Sequence, residues 1–206
     1  MTAFQWSLDK QTTGLDFFGW REMRRIDHAR GVFQFEFDKT YRGFAMKNSV
    51  KVGWDMFTDY QTFRDVRVGQ RLECGLEILQ HFGPDMVIVR GAQRYPIIKL
   101  DVHVVYLVFR VETERGFLMC VRSLCCPELM KAIDGPNDMW PSNFIWSEWE
   151  LLNEGDEEHG NEYKLRTGGS LKGTDPTYVN QWMVQIFGCL LRSERLGTLR
   201  QLIKSD

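Results

Sequence analysis

The most constraining feature of this chain is a succession of apolar stretches joined by short glycine-bearing turns, closed by one long helical stretch. "RLECGLEILQHFG" meets "DMVIVRGAQRY" across "GPD", and "DVHVVYLVFRVE" meets "GFLMCVRSL" across "TERG". "FIWSEWELLN" and "NEYKLRTGGSL" are joined by "EGDEEHG". Turns this short join antiparallel neighbours, because a parallel crossover needs a dozen residues or more. The expected core is therefore an antiparallel meander with one apolar face, which has to be covered.

The cover is written at the end of the chain. From Pro176 onward Val179, Trp182, Met183, Ile186, Phe187, Leu190 and Leu191 recur at helical spacing, behind a proline suited to a first turn and Thr174 or Asp175 as cap. The glycine pair Gly168-Gly169 before it reads as a backbone hinge, and Gly188 as a point of close approach to the sheet. Earlier, "GVFQFEFDK" alternates strictly, so Phe33, Phe35 and Phe37 share one face of a strand, with "TYRGFAMKN" as its hairpin partner. Residues 15–30 read as a short amphipathic helix, an N-terminal extension (1–30) to a domain over 31–206. "SVKVGWDMFTDYQTFRDV" reads as a second helix with Ser49 as its cap. The expected class is α+β, a curved antiparallel sheet wrapped around a long C-terminal helix.

That order, with several short motifs, resembles the START domain, the steroidogenic-acute-regulatory-type lipid-transfer module with a helix-grip fold. "YPIIKLDVHVVYLVFRVETERGFLMCVRSL" is similar to the family's central strand pair, with Asp101 at its acidic position and Arg122-Ser123-Leu124 as the second motif. "KLRTGGSLKGTDPTYVNQWMVQIF" resembles the glycine-pair approach to the closing helix. The resemblance spans about residues 31–203, best from about 87 onward, and extends to the START-like proteins of oomycetes. It implies non-catalytic binding of a lipid in an internal cavity. In lipid-transfer members an arginine often precedes the acidic residue and meets the ligand's polar head; here Leu100 stands there, so no head group is implied.

The residues themselves carry no catalytic motif. The histidines, His28, His81, His103 and His159, are scattered, with no GxSxG or HExxH around them. Glu148 and Glu150 share one face of a strand; Trp149 and Leu151 supply the inward face, so the carboxylates read as solvated. "TGGSLKGT" lacks the order of a phosphate loop. The five cysteines show no CxxC spacing, which reads as reduced thiols without metal. A net charge of −2 supplies no field for nucleic acid. The N-terminal residues lack the pattern of a secretory signal, and the expected location is cytoplasmic.

On the strand "HVVYLVF", Arg110 shares a face with Val104, Tyr106 and Val108. Keeping that charge in water places His103, Val105, Leu107 and Phe109 inside. With Arg122 of the second motif and Met183 and Phe187 of the closing helix, these are the candidate ligand-binding residues. The segment between Cys125 and Phe144 is long and carries Leu129, Met130, Ile133, Met139 and Trp140. It reads either as a lid making transient membrane contact or as a short helix packed in the core. No cofactor is expected. The leading function is binding of a lipid or other apolar ligand for transfer or sensing. Two alternatives stand beside it: a regulatory module with a filled core and a protein partner, and a cyclase-like enzyme of the same broad fold.

Overall fold

The computed structural model describes residues 16–27, 31–69, 72–153, 161–172 and 176–202. The three expected strand pairs form. β4 (Cys74–His81) pairs with β5 (Met86–Tyr95), and β6 (Leu100–Thr113) with β7 (Gly116–Leu124). β9 (Ser142–Asn153) pairs with β10 (Glu162–Lys172). β3 (Val32–Arg42) is one strand of eleven residues, so "TYR" extends it and is not its hairpin partner. It lies beside β10 along its whole length, which brings the first third of the chain against the last.

Residues 16–27 are strand, not helix. β1 (Asp16–Phe17) turns into β2 (Trp20–Asp27), which pairs with β3 and extends the same sheet. The turn at Phe18-Gly19 has φ of 52° and 78°, a left-handed pair that no helix tolerates, and Gly19 N donates to Asp16 Oδ1 at 2.8 Å. Buried Glu22, in contact with Arg24 at 3.2 Å, conceals the two-residue period, because a carboxylate stands where an apolar residue would mark the inner face. The sheet of ten strands runs β1-β2-β3-β10-β9-β7-β6-β5-β4, and β8 (Asp138–Met139) pairs parallel with the start of β6.

Three helical pieces follow β3: α1 (Met46–Thr58), the single turn α2 (Tyr60–Thr62) and a π-helical turn (Phe63–Val68). Ser49 lies inside α1 and is no cap; its hydroxyl accepts from Trp149 Nε1 at 2.9 Å. α3 (Pro127–Ala132) gives the long segment its short helix, but buries none of its residues. α4 (Pro176–Leu202) lies across the sheet. Trp182 meets Phe35 edge-on at 5.2 Å, and Phe187 meets Phe37 at 5.0 Å and Phe17 at 5.5 Å. Phe33, Phe35 and Phe37 are buried together, as their alternation implies.

Gly168 and Gly169 do not form a hinge. Both lie inside β10, paired on each side with β3 and β9. A Cβ on Gly169 would stand 2.1 Å from the Phe144 carbonyl oxygen, so glycine is there for close approach of two strands. Gly188 makes room for Arg192, whose Nη1 lies 2.6 Å from a notional Cβ, rather than for the sheet. The capping positions 174 and 175 and the acidic tip 156–158 lie outside the described residues. No described helix is long and apolar enough to cross a membrane.

Candidate functional site

Between the middle of the sheet, α1 and the second half of α4 lies a cavity of about 260 Å³. Its sheet side is mixed: Met119, Ile145 and Trp149 of β7 and β9 are apolar and buried, and β3, β9 and β10 add Lys39, Tyr41, Ser147 and Thr167. On α4 it is lined at Ile186, Cys189, Leu190, Ser193, Glu194 and Gly197, one stripe of three- and four-residue steps. That stripe is about 16 Å long at the helical rise. α1 adds Val52, Met56 and Phe57.

Polar groups in the lining are mostly tied to one another. Tyr41 Oη donates to Glu194 Oε1 at 2.7 Å, and Lys39 Nζ reaches the same oxygen at 2.7 Å. Burial, and then the Glu194 carboxylate beside it, push the Tyr41 hydroxyl far above the ordinary tyrosine range, so it stays a donor. Ser147 and Thr167 hydroxyls bond to each other at 2.9 Å across β9 and β10. The Cys189 thiol is raised by burial and faces Met56 Sδ at 3.5 Å. Arg42 pairs with Glu162 at 2.8 Å. Arg67, from the π-helical turn, lies with its guanidinium 4.3 Å from the Phe57 ring centre and donates to Tyr106 Oη at 3.0 Å.

None of the seven residues picked from the sequence lines this cavity. The face of β6 is the reverse of the expected one. Val102, Val104, Tyr106 and Val108 are buried in the core cluster, to which Trp182 of α4 belongs. Arg110 shares that inner face at its end, where it stacks over Trp54 at 4.6 Å and pairs with Asp85 at 2.7 Å. An arginine can lay its stem on apolar surface while its head stays wet, so its presence does not turn a whole strand. Leu107 and Phe109 are half-buried on the other face, and Val105 is buried there.

His103 lies on that outer face too, its Nε2 2.8 Å from Asp138 Oδ1 and its ring 5.3 Å from that of Trp140. It borders an open groove with Arg94, Asp101 and Ile133. Arg122 is exposed, above the Phe144 ring at 6.0 Å. On α4, Met183 and Phe187 do pack against the core, Met183 Sδ lying 3.9 Å from Arg24 Nη1, but they face the β1–β3 side. The lining falls to Ile186 and Leu190, one position off in the same stripe. Glu148 and Glu150 lie on the outer face as expected, paired with Arg166 and Arg115.

The missed residues are of two kinds. Ile186 and Leu190 belong to the apolar stripe read from the sequence, and Glu194 lies one turn further along it. Tyr41, Arg67 and Trp149 come together only through β3–β10 pairing and the docking of α1, which no local pattern announces.

No protein-family model matches this chain, and no curated protein matches it by sequence. Solved structures do match it. The chain superimposes on human STARD10 with a TM-score of 0.70 at 10% identity, over 98% of this chain and 78% of that one. Human StAR-related lipid transfer protein 5 gives 0.69 at 12% identity, over 95% and 89% of the two chains. A STAR-related lipid transfer protein fragment from Xanthomonas axonopodis gives 0.57 at 16% identity, over 91% and 98%. These likenesses show the fold: the chain has the α+β helix-grip fold of START domains.

Proposed function

We propose that this chain binds a small apolar ligand, of lipid type, in the cavity under α4, in the cytoplasm, for transfer or sensing and without catalysis. The carrying observation is the cavity itself: about 260 Å³ between α1, α4 and the sheet, with Met119, Ile145, Ile186 and Leu190 among its apolar lining. The volume exceeds the roughly 150 Å³ cavity that admits benzene and falls just short of the ~300 Å³ at which drug-sized pockets begin. It suits one acyl chain or a compact ligand better than a two-chain lipid. The names of the structural neighbours, which speak of lipid transfer, support the same reading. Among the described residues the lining has no histidine and one carboxylate, Glu194, which is engaged by Tyr41 and Lys39; this supports binding over acid–base chemistry.

A second reading rests on the N-terminal half of α4. There Tyr178 and Trp182 pack edge-on against Tyr95, Phe33 and Phe35, a filled interior that favours a protein-interaction module. One variant separates the two. Leu190→Trp fills the cavity, so it abolishes uptake of a fluorescent fatty acid and leaves the melting temperature nearly unchanged. If the space is instead collapsed core, the same change overpacks it and costs ~1–3 kcal/mol. Native mass spectrometry of the wild type, with no small apolar ligand retained and no fatty acid taken up, overturns the binding reading.

A further inference from the structure

We infer that Arg67 is the anchor for an acidic head group, a carboxylate or a phosphate, carried by a single-chain amphiphile in the cavity; this rests on the binding reading above. The backbone at Arg67 is held from α4, since Arg192 Nε donates to the Val66 carbonyl at 2.8 Å and Arg192 Nη2 to that of Arg67 at 3.4 Å. It sits in a π-helical turn, a wide turn that is frequent at functional sites.

The guanidinium is well supported and poorly satisfied. It lies over Phe57 at 4.3 Å and near Tyr106 at 5.5 Å, and makes one hydrogen bond, to Tyr106 Oη. That oxygen is already shared, because Asn143 Nδ2 donates to it at 3.1 Å. Arg67 Nε is buried without an acceptor, and no Asp or Glu pairs with Arg67 among the described residues. Every other charged group in the lining has an opposite charge: Lys39 and Glu194 have each other, and Arg42 has Glu162. A partly desolvated cation without a counter-charge is unfavourable, and aromatic faces recover only part of the loss. An anion within the cavity supplies the rest. A second orphan donor, Gln185 Nε2, lies buried where Gln185 Oε1 accepts from Tyr95 Oη at 2.5 Å. Among the described residues, buried donors without a partner outnumber such acceptors, Asn143 Oδ1 being an acceptor left over beside them. With about 260 Å³ available, the partner chemistry is one alkyl chain bearing one acidic group.

The test uses three probes with the same chain: dodecanoic acid, dodecyl phosphate and dodecanol, titrated calorimetrically into the whole protein. The wild type is expected to bind at least one acidic probe about tenfold or more tighter than dodecanol, as a charge-assisted hydrogen bond allows. The first two arms separate a carboxylate from a phosphate source, and inorganic phosphate alone shows whether the chain is needed. Arg67→Met should erase the acid preference while dodecanol binding persists; Arg67→Lys should keep part of it. Equal affinity for acids and alcohol, or a preference that survives Arg67→Met, overturns the inference and leaves the cavity reading standing. No binding of any probe sinks both. Should Arg67→Met not fold, the wild-type comparison and Arg67→Lys decide.

Discussion

Gly169→Ala distinguishes a strand glycine from a hinge glycine, and the two readings predict opposite signs. Neither Gly168 nor Gly169 has a positive φ, so a hinge residue here could accept alanine. Removing glycine's freedom from the unfolded chain would then stabilise by ~0.4–1 kcal/mol. The observed packing predicts the reverse. The new Cβ would lie 2.1 Å from the Phe144 carbonyl oxygen and 3.1 Å from Ile145 Cα, both backbone atoms of β9. A carbon and an oxygen need roughly 1 Å more than that. β9 and β10 would have to part there, against a strand spacing of about 4.8 Å, while β3 holds β10 from the other side. Losing two ladder hydrogen bonds at about 1 kcal/mol each, with an overpacking term of ~1–3 kcal/mol, gives a loss of about 3–5 kcal/mol. For a domain of this size that is roughly 6–20 °C in melting temperature. Urea unfolding followed by circular dichroism measures it. A variant as stable as the wild type, or more so, refutes the close-approach argument and restores the hinge.

Other outcomes follow from single contacts. Phe18→Asn should stabilise by about 1 kcal/mol in thermal unfolding, because Phe18 is 70% exposed at φ 52° and asparagine before Gly19 suits that turn. Ser49→Ala should cost about 1–3 kcal/mol by orphaning the buried Trp149 indole N–H, and a double-mutant cycle with Trp149→Phe should show the coupling that loss of a helix cap would not. The Asp138 carboxyl is held below its ordinary 3.8, first by the Gly135 N–H and then by His103. A depressed carboxylate stabilises at neutral pH and loses that contribution as pH falls through its folded value. Amide protection in residues 133–141, taken relative to the intrinsic exchange rate at each pH, should therefore fall below pH ~3.8 in the wild type, and be low and unchanged through this range in Asp138→Asn.

What could be read in the sequence is local, and what could not is mostly a matter of sides. Strand pairs across "GPD" and "TERG" were legible because turn length and glycine dictate an antiparallel return. The closing helix was legible because its stripe is broad and begins at a proline. At the N-terminus, a buried Glu22 and three arginines within five residues mimic an amphipathic helix, and the deciding fact is a left-handed Phe18 that no propensity anticipates. Ser49 looked like a cap since it precedes the apolar spacing; its partner is Trp149, a hundred residues away.

The reversal of β6 shows why the site was harder than the fold. The fold needs only that one face be apolar, and either face of "HVVYLVF" meets that condition. Arg110 alone distinguishes them in the sequence, by the rule that a charge stays in water. The rule holds locally: the Arg110 head is at the rim, with Asp85. It fails as a guide to the strand because Trp54 on α1 supplies an aromatic surface for the stem and guanidinium. Arg67 is the deeper instance, a cation over Phe57 and Tyr106 with no carboxylate beside it among the described residues. In both cases aromatic rings from α1 make the interior hospitable to positive charge, and α1 reaches the sheet only after the chain has folded. An arginine whose partners lie on another element can therefore be assigned to an interior only from the assembled structure. There, an Arg67 matched by no described Asp or Glu is the feature on which the proposal of an acidic ligand rests.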